Sequence, residues 1–230
     1  MMRKTIPFVK SLTAMLLITT ALLSCKKEEE EIQQVPARST ASVSFNNGLL
    51  AFNKLDFYVN GTKKASLTDA LHSGYNEVQP GKMEIKVVNP ISGATIGTGS
   101  FEFLARDYSV FLCGSTAEPI LLFSEDNLNS PATDNAKIRF VNLSPGLKNL
   151  SLNERGKPAL FNNRPYKTST SFENLLAVSE ISFDLKETGS EATVATLEKV
   201  KIEKDKIYTI IATGERAENF NIKLSLIVNK

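Results

Sequence analysis

The chain has no tryptophan, one histidine and two cysteines in 230 residues, and each shortage removes a class of chemistry. A single imidazole, His72, excludes any site built from two or more, including the common zinc motifs. No G-x-S-x-G elbow supports a Ser-His-Asp relay around it, and Asp69-Ala-Leu-His-Ser-Gly74 reads as an exposed polar loop. Without Trp, the strongest stacking platform for sugars and cations is missing. Bases and acids nearly cancel, 27 against 25, so the basic face that nucleic acid requires is not expected. The apolar stretch from Leu12 to Leu23 is short of the roughly twenty residues that cross a hydrocarbon core. Cys113 lies in the apolar run Tyr108-Ser-Val-Phe-Leu-Cys113, as a small buried hydrophobe would. Gly93, Gly97 and Gly99 lack the Lys-Ser/Thr ending of a phosphate loop and surround a hairpin instead. The acids of Glu125-Asp-Asn-Leu-Asn129 and Asp134-Asn135 miss the EF-hand spacing and read as turn formers. With 25 acids, some carboxylate pair always meets a glycosidase spacing by chance. No catalytic residue, metal ligand or cofactor site is assigned.

What the chain does have begins at its amino end. Arg3, Lys4 and Lys10 precede the apolar stretch, which gives the charged and hydrophobic regions of a signal peptide at residues 1–24. Leu22-Leu23-Ser24-Cys25 resembles the lipobox of bacterial lipoproteins. That resemblance implies that Cys25 is the first mature residue and carries palmitate-like acyl chains into the membrane, which also removes it from any disulfide. Cleavage takes away three bases and no acid, leaving 24 against 25. Residues 25–40, from Lys26-Lys27-Glu28 through Pro36 to Thr40, have little apolar content and read as a disordered tether. Lys followed by acids behind the lipidated Cys is similar to the signal that exports lipoproteins of the Bacteroidetes group to the cell surface. The resemblance implies an outer-membrane protein facing outward, with a periplasm-facing one as the alternative.

From Ala41 onward, short segments rich in Val, Ile, Phe, Tyr and Leu are separated by Gly, Pro, Asn and Asp, the texture of an all-β fold. Met83, Ile85 and Val87 alternate with charged residues, as do Ile181, Phe183 and Leu185, so each set lies on a half-buried strand. Asn60-Gly61 predicts a two-residue hairpin. The pattern recurs at an offset of 95 to 100 residues: Val43-Ser-Phe45 matches Ile138-Arg-Phe140, Leu55-Asp-Phe57 matches Leu150-Ser-Leu152, Glu84-Ile85 matches Glu180-Ile181, and Tyr108 matches Tyr208. This predicts two tandem antiparallel β-sandwiches, 41–124 and 136–230, joined by a polar linker at 125–135 that leaves them as beads on a stiff string. The tether would then hold the second sandwich further from the membrane than the first.

Lys137-Ile-Arg-Phe-Val-Asn-Leu-Ser-Pro145, a hairpin with Gly156, Tyr166-x-x-Ser169 and the closing Lys206-Ile-Tyr-Thr-Ile-Ile-Ala-Thr-Gly214 resemble the domain of unknown function 4397. The second copy fits well, whereas Phe45-Asn-Asn-Gly48 departs from the signature in the first. The resemblance implies an immunoglobulin-like or transthyretin-like sandwich and no activity. Phe161-Asn-Asn-Arg-Pro-Tyr166-Lys167 mixes an aromatic, amides and two cations, so Arg164 and Tyr166 are the candidate binding residues, while the family resemblance of the stretch around Tyr166 implies a packed hairpin tyrosine there instead. The expected function is a non-catalytic surface lipoprotein that binds a glycan, a matrix component or a protein, or serves structurally. The alternative is a carbohydrate-processing accessory protein or a hydrolase with an unrecognised carboxylate site.

Overall fold

The computed structural model describes residues 38–49, 51–146, 148–214 and 222–230. The signal peptide, Cys25 and residues 25–37 of the tether lie outside the described residues. In the first copy the strands are β1 (Ala41–Asn47), β2 (Lys54–Val59), β3 (Thr62–Thr68), β4 (His72–Val78), β5 (Gly81–Val88), β6 (Thr95–Phe103), β7 (Asp107–Gly114) and β8 (Pro119–Asp126). The second copy has β9 (Asn135–Asn142), β10 (Leu150–Glu154), β11 (Ala159–Arg164), β12 (Thr168–Ser169), β13 (Glu173–Leu176), β14 (Val178–Glu187), β15 (Thr193–Ile202), β16 (Ile207–Thr213) and β17 (Lys223–Val228). The described residues are all-β, as the turn spacing predicts.

Each copy is a sandwich of two sheets. The first pairs β4-β1-β7-β8 with β3-β2-β5-β6, and the second pairs β12-β9-β16-β17, with β13 also on β9, with β11-β10-β14-β15. Neighbours are antiparallel except β1 with β7 and β9 with β16, which run parallel. A constant-type immunoglobulin domain keeps its first two strands in one sheet, whereas here β1 and β2 lie in opposite sheets. The Asn60-Gly61 hairpin forms as expected: both residues have positive φ, 46° and 78°, the requirement of the turn that matches strand twist.

Phe45, Phe57, Ile85 and Val110 are among the side chains of the first core, and Phe140, Leu152, Phe183 and Ile210 among those of the second. The two closing tyrosines are equivalent, as their spacing predicts. Tyr108 faces Val43 and Tyr208 faces Ile138 across the parallel pairs. Each hydroxyl accepts a backbone N–H from the preceding turn, Leu104 and Glu203 respectively, at 3.0 Å. The isoleucine pairing is different from the expected one. Phe57 faces Val87 on β5, whereas Leu152 faces Leu185 on β14, so the partner of Ile85 is Phe183 and that of Met83 is Ile181. Ile85 and Phe183 are fully buried while Ile181 is partly buried. Matching on the Glu-Ile dipeptide misses an insertion of two residues before the strand.

The outer strands β5 and β14 alternate in burial, but β1, β7 and β16 are buried at almost every position. The reason is a third core between the copies, in which Phe111, Cys113, Val141, Leu143, Ile211 and Ile227 pack together with Ile120 and Leu122 flanking. The sheets holding β1 and β9 are therefore covered on both faces, which removes alternation from their sequence. Arg38–Lys230 form one compact unit, and the beads-on-a-string expectation is corrected: the copies pack on each other through this third core. The connector is also shorter than the polar sequence suggests, because β8 extends through Asp126. Arg38, at the end of the expected tether, pairs with Asp107 at 2.7 Å.

Candidate functional site

Two places concentrate polar chemistry among the described residues. The first is the seam between the copies. Alternation along β7, β9 and β16 turns Ser109, Arg139 and Thr209 away from the two sandwich cores and toward each other. Arg139, 1% exposed, donates to Asp126 at 2.5 Å, to Ser109 at 2.8 Å, to Thr209 at 2.9 Å and to Ser124 at 3.2 Å. Asp126, fully buried, also accepts from the hydroxyls of Ser109 and Tyr75, both at 2.6 Å. Asn229 donates to the Tyr75 oxygen at 3.1 Å and accepts from Thr209 at 2.6 Å. The Arg139 guanidinium lies 4.5 Å from the Phe172 ring centre. Burial, and then the charge of Asp126, push the Tyr75 pKa well above its ordinary range, so its hydroxyl stays a donor. A charge taken out of water survives only when paired and hydrogen-bonded, and this network meets that condition. The Arg139 and Asp126 side chains are 1% and 0% exposed, which leaves their charges to each other.

The second place is the loop that the sequence singles out. Arg164 ends β11 opposite Leu150, and its backbone oxygen accepts from the Asn142 side chain at 3.0 Å. Asn163 and Lys167 adopt positive φ, 56° and 64°, and the Lys167 N–H bonds back to Asn142, so both ends of the turn are fixed. Arg164 lines an open cleft of about 360 Å³ with Leu160, Phe161, Thr170, Ser171, Glu173 and Asn174. Its Nε is buried and has no hydrogen-bond partner among the described residues. Tyr166 does not line that cleft. It is half-buried, with the Lys167 ammonium 5.2 Å from its ring centre. The structure thus separates the two candidate residues and joins Arg164 to Ser171, Glu173 and Asn174. Sequence reading missed these because Thr170–Asn174 carries no motif that ties it to Arg164, and only the pairing of β13 with β9 brings it to the cleft that β11 lines.

The remaining candidates are accounted for locally. His72 opens β4 and is half-buried, not an exposed loop residue. Its Nδ1 is placed to accept the Gly74 N–H at 3.2 Å, and burial lowers its pKa. Burial in the seam pushes the Cys113 thiol up to about 11, far from a reactive thiolate. Asp126 is held by Arg139, and Asp134 pairs with Lys204 at 2.9 Å. Among the described residues no group of three or more His, Cys, Asp or Glu is placed to hold a metal ion. On the outer face, Arg155 bridges Asp184 and Glu198 at 3.0 and 2.8 Å, and the Arg155 hydrogen bond holds the Asp184 carboxyl below its usual range.

Residues 41–153 match the family model described as Domain of unknown function (DUF4397). The resemblance to that family holds, over the first copy and the start of the second through β10, including the Lys137–Pro145 segment. No curated protein matches the chain. Among solved structures, the chain is 11% identical to CBMbc, a family CBM26 module from Eubacterium rectale Amy13K in complex with maltoheptaose, covering 82% of this chain and 95% of that one at a TM-score of 0.27. It is 10% identical to the fimbrial anchor protein Mfa2 of Porphyromonas gingivalis, covering 83% and 97% at a TM-score of 0.25. At those scores neither likeness bears on what this chain binds.

Proposed function

We propose that this chain is a non-catalytic binding module of an outer-membrane lipoprotein, anchored through Cys25 and displayed outward, whose ligand site is the Arg164 cleft. The observation that carries the reading is the Arg164 side chain, partly withdrawn from water with its Nε buried and lacking a partner among the described residues. A buried donor left unmade costs about 1–3 kcal/mol, and a ligand that supplies acceptors to the rest of the guanidinium offsets the cost of holding it there. Beside it Glu173 offers acceptors, and Asn174, whose side-chain oxygen accepts the Ala132 N–H, turns its amide N–H groups to no acceptor among the described residues. Donors and acceptors on one wall suit a glycan's hydroxyls. Protein or matrix ligands would use the same groups through their amides. Glu173 and Asn174 lie on β13, which is hydrogen-bonded to the buried strand β9, and a wall fixed in this way limits the entropy lost on binding.

Glycan and matrix-protein arrays probed with the lipid-free protein test the site. Arg164→Ala should abolish any binding that the wild type shows, while Tyr166→Ala, outside the cleft, should retain it once circular dichroism shows both folded. Loss in Tyr166→Ala alone would move the site to the turn, and binding by Arg164→Ala would reject the cleft. The anchor is tested separately: Cys25→Ser should lose acyl labelling and membrane retention, since several acyl chains at about 0.8 kcal/mol per buried CH₂ hold a protein effectively for good. Protease shaving of intact cells should remove the wild-type protein if it faces outward.

A further inference from the structure

The two seam faces are related by the internal repeat, but their side chains break that relation where charge matters. From the parallel registers, Ser44 corresponds to Arg139 and Ser109 to Thr209. Tyr108 faces Glu125 on β8 and Tyr208 faces Val228 on β17, so the next residues, Asp126 and Asn229, also correspond. Tyr75 lies opposite Ser44 on β4, and Phe172 stacks beside Arg139 in the second copy. The first copy therefore contributes a carboxylate and no cation, and the second a guanidinium and no anion. Both are almost wholly buried.

We propose that the Arg139–Asp126 pair is a pairing code that admits a first copy against a second copy and rejects like against like. Two first copies meeting at this face would bury two Asp126 carboxylates with only Ser44 in the place of Arg139. Two second copies would bury two Arg139 guanidiniums with only Asn229 in the place of Asp126. Neither has a counterion, and buried charge without one is strongly unfavourable. Only the mixed seam is neutral and hydrogen-bonded. Such a device answers a hazard of tandem repeats, because copies with similar faces misassemble with one another and between chains. The apolar patch around Phe111, Val141 and Ile211 drives contact without choosing a partner. The charged patch makes the choice, and the short connector after Asp126 favours the copy in the same chain.

The code predicts complementation between full chains. An Asp126→Asn chain leaves Arg139 without an acid, and an Arg139→Ser chain leaves Asp126 without a base. Unfolded together and co-refolded, they can exchange copies so that one seam regains the ion pair and the other is neutral. With different affinity tags on the two chains, the mixture should give at least about ten-fold more mixed-tag dimer, by tandem purification and light scattering, than two differently tagged wild-type chains treated alike. This comparison does not require either variant to fold alone. Mixed-tag dimer at the wild-type level would overturn the proposal. So would equal amounts when each variant is refolded with its own differently tagged copy, which would make association a consequence of instability alone.

Discussion

Replacing Asp126 with Ala should destabilise the whole of residues 38–230, because it removes the anion from a fully buried site and leaves Arg139, 1% exposed, without a counterion. Breaking a buried pair from one side costs about 3–5 kcal/mol. Arg139 would keep the hydroxyls of Ser109, Ser124 and Thr209 as acceptors, which places the expected loss at the lower end, about 3 kcal/mol. For a unit of this size each kcal/mol moves the thermal midpoint by roughly 2–4 °C, so the shift should be about 6–12 °C. Urea unfolding followed by far-ultraviolet circular dichroism measures the loss. The wild type should unfold in one transition, since the seam joins both cores. A companion variant, Asp126→Leu with Arg139→Met, should recover most of the stability, because exchanging both ions for apolar groups is often neutral or better. A loss under about 1 kcal/mol in Asp126→Ala would mean that water reaches the pair and the seam is open. Two separate transitions in the wild type would refute the single-unit reasoning outright.

The corrected repeat register predicts that Phe183→Ala costs about 3–5 kcal/mol, whereas Ile181→Ala, at a partly buried position, costs less than about 2; equal losses in denaturant titration would restore the original matching. Gly48 is a seam contact, since a Cβ there would stand 2.7 Å from the Leu112 carbonyl oxygen and 2.8 Å from Leu143. Gly48→Ala should therefore cost about 1–3 kcal/mol through overpacking, and an unchanged urea midpoint would show that the loop simply moves aside. Burial lowers the His72 pKa below its ordinary 6.5, so the unfolded chain takes up the proton first as pH falls. Its contribution is full above 6.5 and declines as pH drops toward the folded value, while Asp56 and Asp184, held low by their hydrogen bonds, lose theirs only below 3.8. The thermal midpoint should fall between about pH 7.5 and 5.5 in the wild type and less in His72→Gln; identical slopes would remove His72 as the cause.

The sequence by itself determined the strands, the Asn60-Gly61 turn, the doubling of the chain and the equivalence of Tyr108 with Tyr208. These depend on neighbours in the chain: alternation, turn residues and a repeated order, all local or periodic. It also held a sign of the seam, since Tyr108–Cys113 and Ile207–Thr213 do not alternate as the outer strands do. An unbroken apolar run reports two buried faces but does not say what covers them. Arg139 and Asp126, close in the chain, read as an ordinary strand cation and a linker acid. Only the folding of β8 against β9 across the seam made them a buried pair. The Arg164 cleft depended on tertiary structure for the same reason, because its partners Ser171, Glu173 and Asn174 are brought to the cleft that β11 lines by the pairing of β13 with β9. Periodicity says which way a side chain points, and only the packing of one sheet on another decides what it meets there.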